Sequence, residues 1–133
     1  MHWADRTAQT LKERGDSQVI ASGITPSGEF HVGHLREILT AEMIHRACLD
    51  AGMKSRYIFI VDSMDPLRRV YDFLSPTYKK YIDHPLAYIP APTGDGEPGD
   101  GSTSYAEYFL KPFLAALREI GVDPVVERNH ETY

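Results

Sequence analysis

His31 and His34 stand three residues apart in His31-Val32-Gly33-His34, a spacing that lets both side chains face one anion. Two imidazoles so placed can donate hydrogen bonds to oxygens that gain charge at a phosphorus centre during displacement. Catalysis of that kind is electrostatic and needs no nucleophilic side chain. Gly33, between them in the sequence, lacks a Cβ, so a ribose or base can lie against the backbone there. The four-residue spacing also fits a surface pair, an N-cap interaction or two ligands of a metal ion. The zinc reading finds no further ligands, with one cysteine in the chain and His45 facing elsewhere along the helix.

The surrounding elements must hold those histidines at a ligand. Gln18-Val19-Ile20-Ala21-Ser22 reads as a short buried strand, and Gly23, Pro26, Ser27 and Gly28 form a loop that stops it. Leu35, Ile38, Leu39, Ile44, Ala47, Cys48 and Ala51 follow helical spacing up to Gly52. Tyr57-Ile58-Phe59-Ile60-Val61 is a continuous apolar run, the pattern of a strand in a parallel sheet covered on both faces. Strand, glycine loop, helix and strand make a βαβ unit, and a right-handed crossover puts the loop at the carboxyl edge of the sheet, where open α/β folds bind ligands. The histidines then sit at a helix N-terminus, whose free N–H groups and dipole favour an anion.

A shorter amphipathic helix is expected from Trp3 to Arg14, before Gly15. After Asp62, the prolines at 66, 76, 85 and 90 suggest an irregular insertion or short helices, to about residue 104. Its last part, 91–104, alternates Gly with Asp and Glu and is expected to be a mobile acidic loop too polar to pack. Tyr105, Tyr108, Phe109, Phe113, Ala116, Leu117 and Ile120 then trace a helical face expected to be core, with Pro112 kinking the helix or starting its longer half. Val125-Val126 predicts a third strand.

The 133 residues are 42% apolar and 25% charged, which suits one ordinary globular domain and excludes disordered and disulfide-scaffold classes. A net charge of −5 lacks the overall basic surface of a simple nucleic-acid binder. A lone Cys48 points to a reduced, cytoplasmic setting with a buried, inert thiol. No run of 18 apolar residues suggests a membrane partner.

Together, His31-Val32-Gly33-His34, Met1-His2-Trp3-Ala4-Asp5, Ala21 to Gly28, Leu35-Arg36-Glu37 and Asp65-Pro66-Leu67-Arg68-Arg69-Val70-Tyr71 resemble the amino-terminal part of class I lysyl-tRNA synthetase, nearly end to end. The resemblance implies a Rossmann-like (HUP-type) α/β fold, a doubly wound parallel sheet that is incomplete here. It implies activation of L-lysine by ATP, with Mg2+ accompanying the nucleotide, and transfer of lysine to tRNA-Lys. His31 and His34 would be catalytic and, with Thr25, Pro26, Ser27 and Gly33, would bind ATP. Gly23 and Thr25 would line the lysine pocket. Asp62 and Asp65, after the second strand, can meet an ammonium group, a ribose hydroxyl or a magnesium ion; equally, Asp65 can cap a turn before Pro66 while Asp62 is solvated. Relatives often carry an acid where Ser63 stands.

Arg68, Arg69, Lys79 and Lys80, interleaved with Tyr71, Tyr78 and Tyr81, could offer phosphate contacts and stacking to a tRNA end, or simply form a solvated face. The family's Lys-Met-Ser-Lys-Ser-like loop and anticodon-binding region have no counterpart in these residues. The chain is therefore expected to be the amino-terminal half of a catalytic domain, ending at Glu131-Thr132-Tyr133 with no closing helix, its exposed sheet edge inviting self-association. Two other readings stand beside this one: a small nucleotidyltransferase sharing the His-x-Gly-His loop, and a non-catalytic module that binds ATP, lysine or tRNA.

Overall fold

The computed structural model describes residues 1–132; Tyr133 lies outside them. Helix α1 (Trp3–Lys12) leads into strand β1 (Ser17–Ile24), helix α2 (Val32–Asp50) and strand β2 (Lys54–Val61). An irregular stretch follows with two 3-10 helices, Pro76–Tyr81 and Leu86–Tyr88, then helix α3 (Tyr105–Glu119), strand β3 (Val125–Arg128) and a one-turn helix α4 (Asn129–Thr132). The strands form a parallel sheet in the order β1-β2-β3, with Ser17 opposite Lys54 and Ile58 opposite Val125. This is the open α/β architecture of a Rossmann-like sheet.

Both crossovers step the same way across the sheet, so right-handedness puts α2 and α3 on one face. Tyr57, Phe59 and Val61 of β2 project to that face and meet Ile38 and Ala41 of α2 and Leu110 and Leu117 of α3. Ile58 and Ile60 alternate to the other face and join no core cluster among the described residues. That face also carries Val19 and Val125, 59% and 47% exposed. The expectations of a buried β1 and of a β2 covered on both faces are corrected accordingly: in each strand one face packs on α2 and α3 while the other is more open. The strand also runs two residues further than its apolar run suggests, through Gly23 and Ile24.

Helix α1 packs on the second half of α2 through Ala4 and Ala8 against Ala47 and Cys48, with Met53 beneath. Small side chains let the two backbones approach closely. Cys48 is fully buried there, and desolvation pushes its thiol pKa up, which keeps it protonated and inert.

The insertion has a core of its own. Leu67, Leu74, Tyr78, Leu86 and Ile89 pack against Tyr105, Ala106 and Phe109 on the first half of α3, while Leu110 and Leu117 further along belong to the sheet core. Pro112 lies inside a helix that continues past it. The stripe expected to be core is therefore only partly so: Tyr108 and Ile120 are exposed, at 44% and 54%, as is Ala116. The glycine-rich run 91–104 packs more than its composition suggests. Pro92 and Gly96 are buried, the Gly99 N–H donates to Ala91 C=O at 2.9 Å, and the Ser75 N–H donates to Gly96 C=O at 2.9 Å. Gly96 has φ +83°, and a Cβ there would strike Phe73 O at 2.5 Å, so only glycine fits. Among the described residues no helix is long and apolar enough to cross a membrane.

Candidate functional site

The carboxyl ends of all three strands and the start of α2 share one rim of the molecule. His31 is the N-cap of α2, and its Nδ1 accepts the Gly33 N–H at 3.0 Å. His34, three residues on, accepts the His31 N–H at its own Nδ1, also at 3.0 Å. The two rings are in contact, with centroids 3.9 Å apart and planes tilted by 35°. The capping arrangement left open by the spacing is thus realised, and it has a chemical consequence. With both Nδ1 lone pairs taken by backbone N–H groups, each neutral ring must carry its proton on Nε2. Two Nε2–H donors remain at the positive end of a 19-residue helix.

Burial, and then the neighbouring His31, lower the pKa of His34 below its usual 6.5, which favours the neutral ring. Phe30 buttresses the pair, edge-on to His34 at 5.1 Å and packed on Phe113 at 4.3 Å. Gly33 has a local reason to be glycine: a Cβ there would stand 2.8 Å from His31 Cε1 and 2.9 Å from its Nδ1. Gly33 also lines a groove of about 390 Å³ between α2 and the outer edge of β1, with Ser22, Arg36, Glu37 and Thr40.

The loop before the histidines is anchored from α3. The buried Tyr105 donates its hydroxyl to Ser27 C=O at 2.5 Å, and the Phe73 ring lies 3.3 Å from where a Gly28 Cβ would be. Pro26, expected at the nucleotide, has its side chain fully buried. Only its backbone can serve a ligand.

Past β2 the two predicted carboxylates take different partners. Thr25 Oγ1 donates to Asp65 Oδ2 at 2.7 Å, joining the ends of β1 and β2. Asp62 accepts the Asn129 Nδ2–H at 3.2 Å. Desolvation, and then repulsion from Asp65, raise the Asp62 pKa above its usual range, so an arriving cation relieves a cost already present.

Asn129 and His130 escape the sequence reading. Ser63 is 1% exposed, and its hydroxyl lies 2.9 Å from Asn129 Oδ1 and 2.6 Å from His130 Nδ1. The Met64 N–H donates to the same Asn129 Oδ1 at 2.9 Å. The available signal was positional: both residues follow the third predicted strand at the ligand-bearing edge.

Of the basic and aromatic residues in the insertion, Tyr78 cannot stack on a nucleotide, because it is fully buried and its hydroxyl donates to Pro90 C=O at 2.8 Å. The Arg69 guanidinium sits 5.0 Å from the Tyr71 ring centroid, and Lys80 sits 5.2 Å from that of Tyr81.

A family model described as tRNA synthetases class I (K) matches residues 1–133. The lysine–tRNA ligase of Archaeoglobus fulgidus is 46% identical over 133 residues, which are 100% of this chain and 26% of that protein. That of Methanocaldococcus jannaschii is 45% identical over 135 residues, covering 100% of this chain and 24% of its own length. Lysine–tRNA ligase 1 of Methanosarcina acetivorans is 44% identical over 133 residues, again 100% of this chain and 24% of the relative. The chain spans about a quarter of the length of these curated relatives.

Proposed function

Because the chain belongs to the class I lysyl-tRNA synthetase family, we propose that residues 1–133 are the amino-terminal part of a catalytic domain that activates L-lysine with ATP and passes it to tRNA-Lys. The observation that carries this reading is the fixed tautomer of His31 and His34, which leaves two Nε2–H donors at the N-terminus of α2. Placed at the nucleotide phosphates, they would meet the oxygens that gain charge as the lysine carboxylate attacks the α-phosphorus and the bond to pyrophosphate breaks. The carboxylate is already ionised at neutral pH, so no general base is required and orientation carries the rate. Gly33 and its groove would receive the nucleoside, with the Thr25–Ser27 backbone flanking the phosphates.

The lysine would lie across the strand ends. Gly23 and Thr25 would line its stem, and the Asp62 and Asp65 carboxylates would receive an ammonium group. Thr25 supports that role by donating to Asp65, which leaves the other carboxylate oxygen for the ligand. Among the described residues no three His, Cys, Asp or Glu side chains gather as a metal cage. Mg2+ would accompany the nucleotide. The insertion, about residues 66–104, would stand beside the site as a support for α3. Its Arg69 and Tyr71 would be available to a tRNA end, and the setting would be cytoplasmic.

The test is lysine-dependent ATP–pyrophosphate exchange, with ATP and lysine binding measured by calorimetry, on the wild type beside His31→Ala and His34→Ala. Exchange that requires lysine and both histidines supports the reading. Binding of ATP and lysine without exchange points instead to a binding module. ATP binding indifferent to both substitutions refutes the assignment of the histidines.

A further inference from the structure

The four side chains that join the ends of β2 and β3 have a determined hydrogen-bond direction. An ionised Asp62 only accepts, so the Asn129 amide must turn its Nδ2–H toward it at 3.2 Å, and the Met64 N–H on Asn129 Oδ1 fixes the same orientation. The Asn129 carbonyl oxygen then faces Ser63, whose single hydroxyl proton goes to it at 2.9 Å. With that proton committed, the 2.6 Å contact between Ser63 Oγ and His130 Nδ1 requires the imidazole to be the donor. Every donor in the series points toward Asp62. Ser63 sits away from water in the middle of the chain, where a reversed or broken link is costly.

We propose that Asn129 and His130 are positioning residues of the site, a directed chain from the His130 ring through Ser63 and the Asn129 amide holding the Asp62 carboxylate in the orientation that receives an ammonium group. The proposal rests on the reading of Asp62 as an ammonium partner and deepens it. Neither residue needs to touch the ligand, since each acts through the next. The geometry also sets the tautomer of the neutral His130 ring opposite to that of His31 and His34, with its proton on Nδ1; Nε2 lies 3.7 Å from Glu131 Oε1, a contact that is an ion pair only in the protonated ring, and the Tyr88 ring stands edge-on beside it. The charged group facing Asp62 from its own loop is Asp65, whose repulsion adds to the larger effect of desolvation in raising the Asp62 pKa, while the Asn129 amide donates to the carboxylate at 3.2 Å.

Three measurements on the chain decide it. Nitrogen-15 NMR of the neutral His130 ring should show a protonated Nδ1, and a protonated Nε2 overturns the direction of the chain. Carbon-13 titration of the Asp62 carboxyl should move its midpoint up by about one unit in Asn129→Ala, since a donor to the ionised form is lost. The midpoint should move less in His130→Ala and return toward wild type in His130→Asn, whose amide can donate from the position of Nδ1. An unmoved midpoint in Asn129→Ala overturns the proposal. If that variant does not fold, the isosteric Asn129→Asp, which turns the donor into a carboxylate, must raise the midpoint further.

In calorimetry, Asn129→Ala should weaken lysine roughly tenfold and leave ATP unchanged, whereas a loss of general integrity weakens both. Lysine binding that persists unchanged in this variant overturns the proposal and leaves the lysine site standing. No lysine binding by the wild type, with both NMR results as expected, removes the lysine reading while the chain from His130 to Asp62 remains.

Discussion

Replacing Gly33 with alanine separates what the histidine cap does for folding from what it does for a ligand. The new Cβ would stand 2.8 Å from His31 Cε1 and 2.9 Å from Nδ1, so the ring must swing away and the 3.0 Å bond from the Gly33 N–H is lost. Loss of an N-cap costs about 1 kcal/mol. Alanine in place of glycine within a helix returns about 0.5–1 kcal/mol. The two nearly cancel, so unfolding in urea should shift by less than about 1 kcal/mol and the Tm by no more than about 5 °C. Function has no such compensation, because the freed ring no longer holds its Nε2–H at the proposed phosphate site. Removal of one preorganised donor reduces turnover about 10²-fold, and exchange by Gly33→Ala should fall by that order, with ATP affinity weakened. His31→Ala should lose the same activity and also about 1 kcal/mol of stability, having lost the cap without the helix gain. Exchange by Gly33→Ala within about threefold of wild type would refute the reasoning, since a displaced His31 would then be dispensable.

The remaining predictions concern pH, the carboxylate rim, the loop anchor and the sheet edge. Between its lowered folded pKa and 6.5, His34 binds a proton in the unfolded chain but not in the folded one. Its contribution to stability is therefore present above 6.5 and lost as pH falls through that window, and His34→Gln should flatten this slope in urea titrations. Asp62 has the opposite sign: its folded pKa is raised, so it favours folding only below its unfolded value. Asp62→Asn should raise the Tm at neutral pH while weakening lysine binding about tenfold; a lower Tm there would contradict the desolvation account. Tyr105→Phe removes the hydroxyl on Ser27 C=O and should cost about 1–2 kcal/mol in urea unfolding and weaken ATP binding. The outer edge of β1 is unpaired among the described residues, so size-exclusion chromatography should show association that grows with concentration, and a clean monomer throughout would count against it.

The βαβ unit was legible because its signals are local. Gly23 to Gly28 breaks one apolar run, His31 caps the next element, and Tyr57 to Val61 has the composition of a central strand. Asp62 and Asp65 followed from the rule that strand carboxyl ends carry ligands. Asn129 and His130 reach Ser63 across a separation of 66 and 67 residues, and no local pattern encodes that pairing. The exposure of Tyr108 and Ile120 was equally hidden: helical spacing shows which residues share a face, not what the face packs against. In the run 91–104, composition describes solvation, whereas its order comes from backbone hydrogen bonds to Ser75 and Ala91 and from the left-handed turn at Gly96 that only glycine fits.

The strand order β1-β2-β3 bears on how this polypeptide acquires its shape. Each strand docks beside the one synthesised just before it, and none must be threaded between two that are already paired. The β1–β2 pair, bridged by α2, can form once residue 61 has left the ribosome, and β3 then adds to a surface that already exists. Domains fold preferentially as they are made from the amino terminus, and neighbouring contacts carry a smaller loop-closure cost. The histidine-capped turn lies inside that first pair, so the proposed phosphate site is expected to be among the earliest parts of the nascent chain to settle.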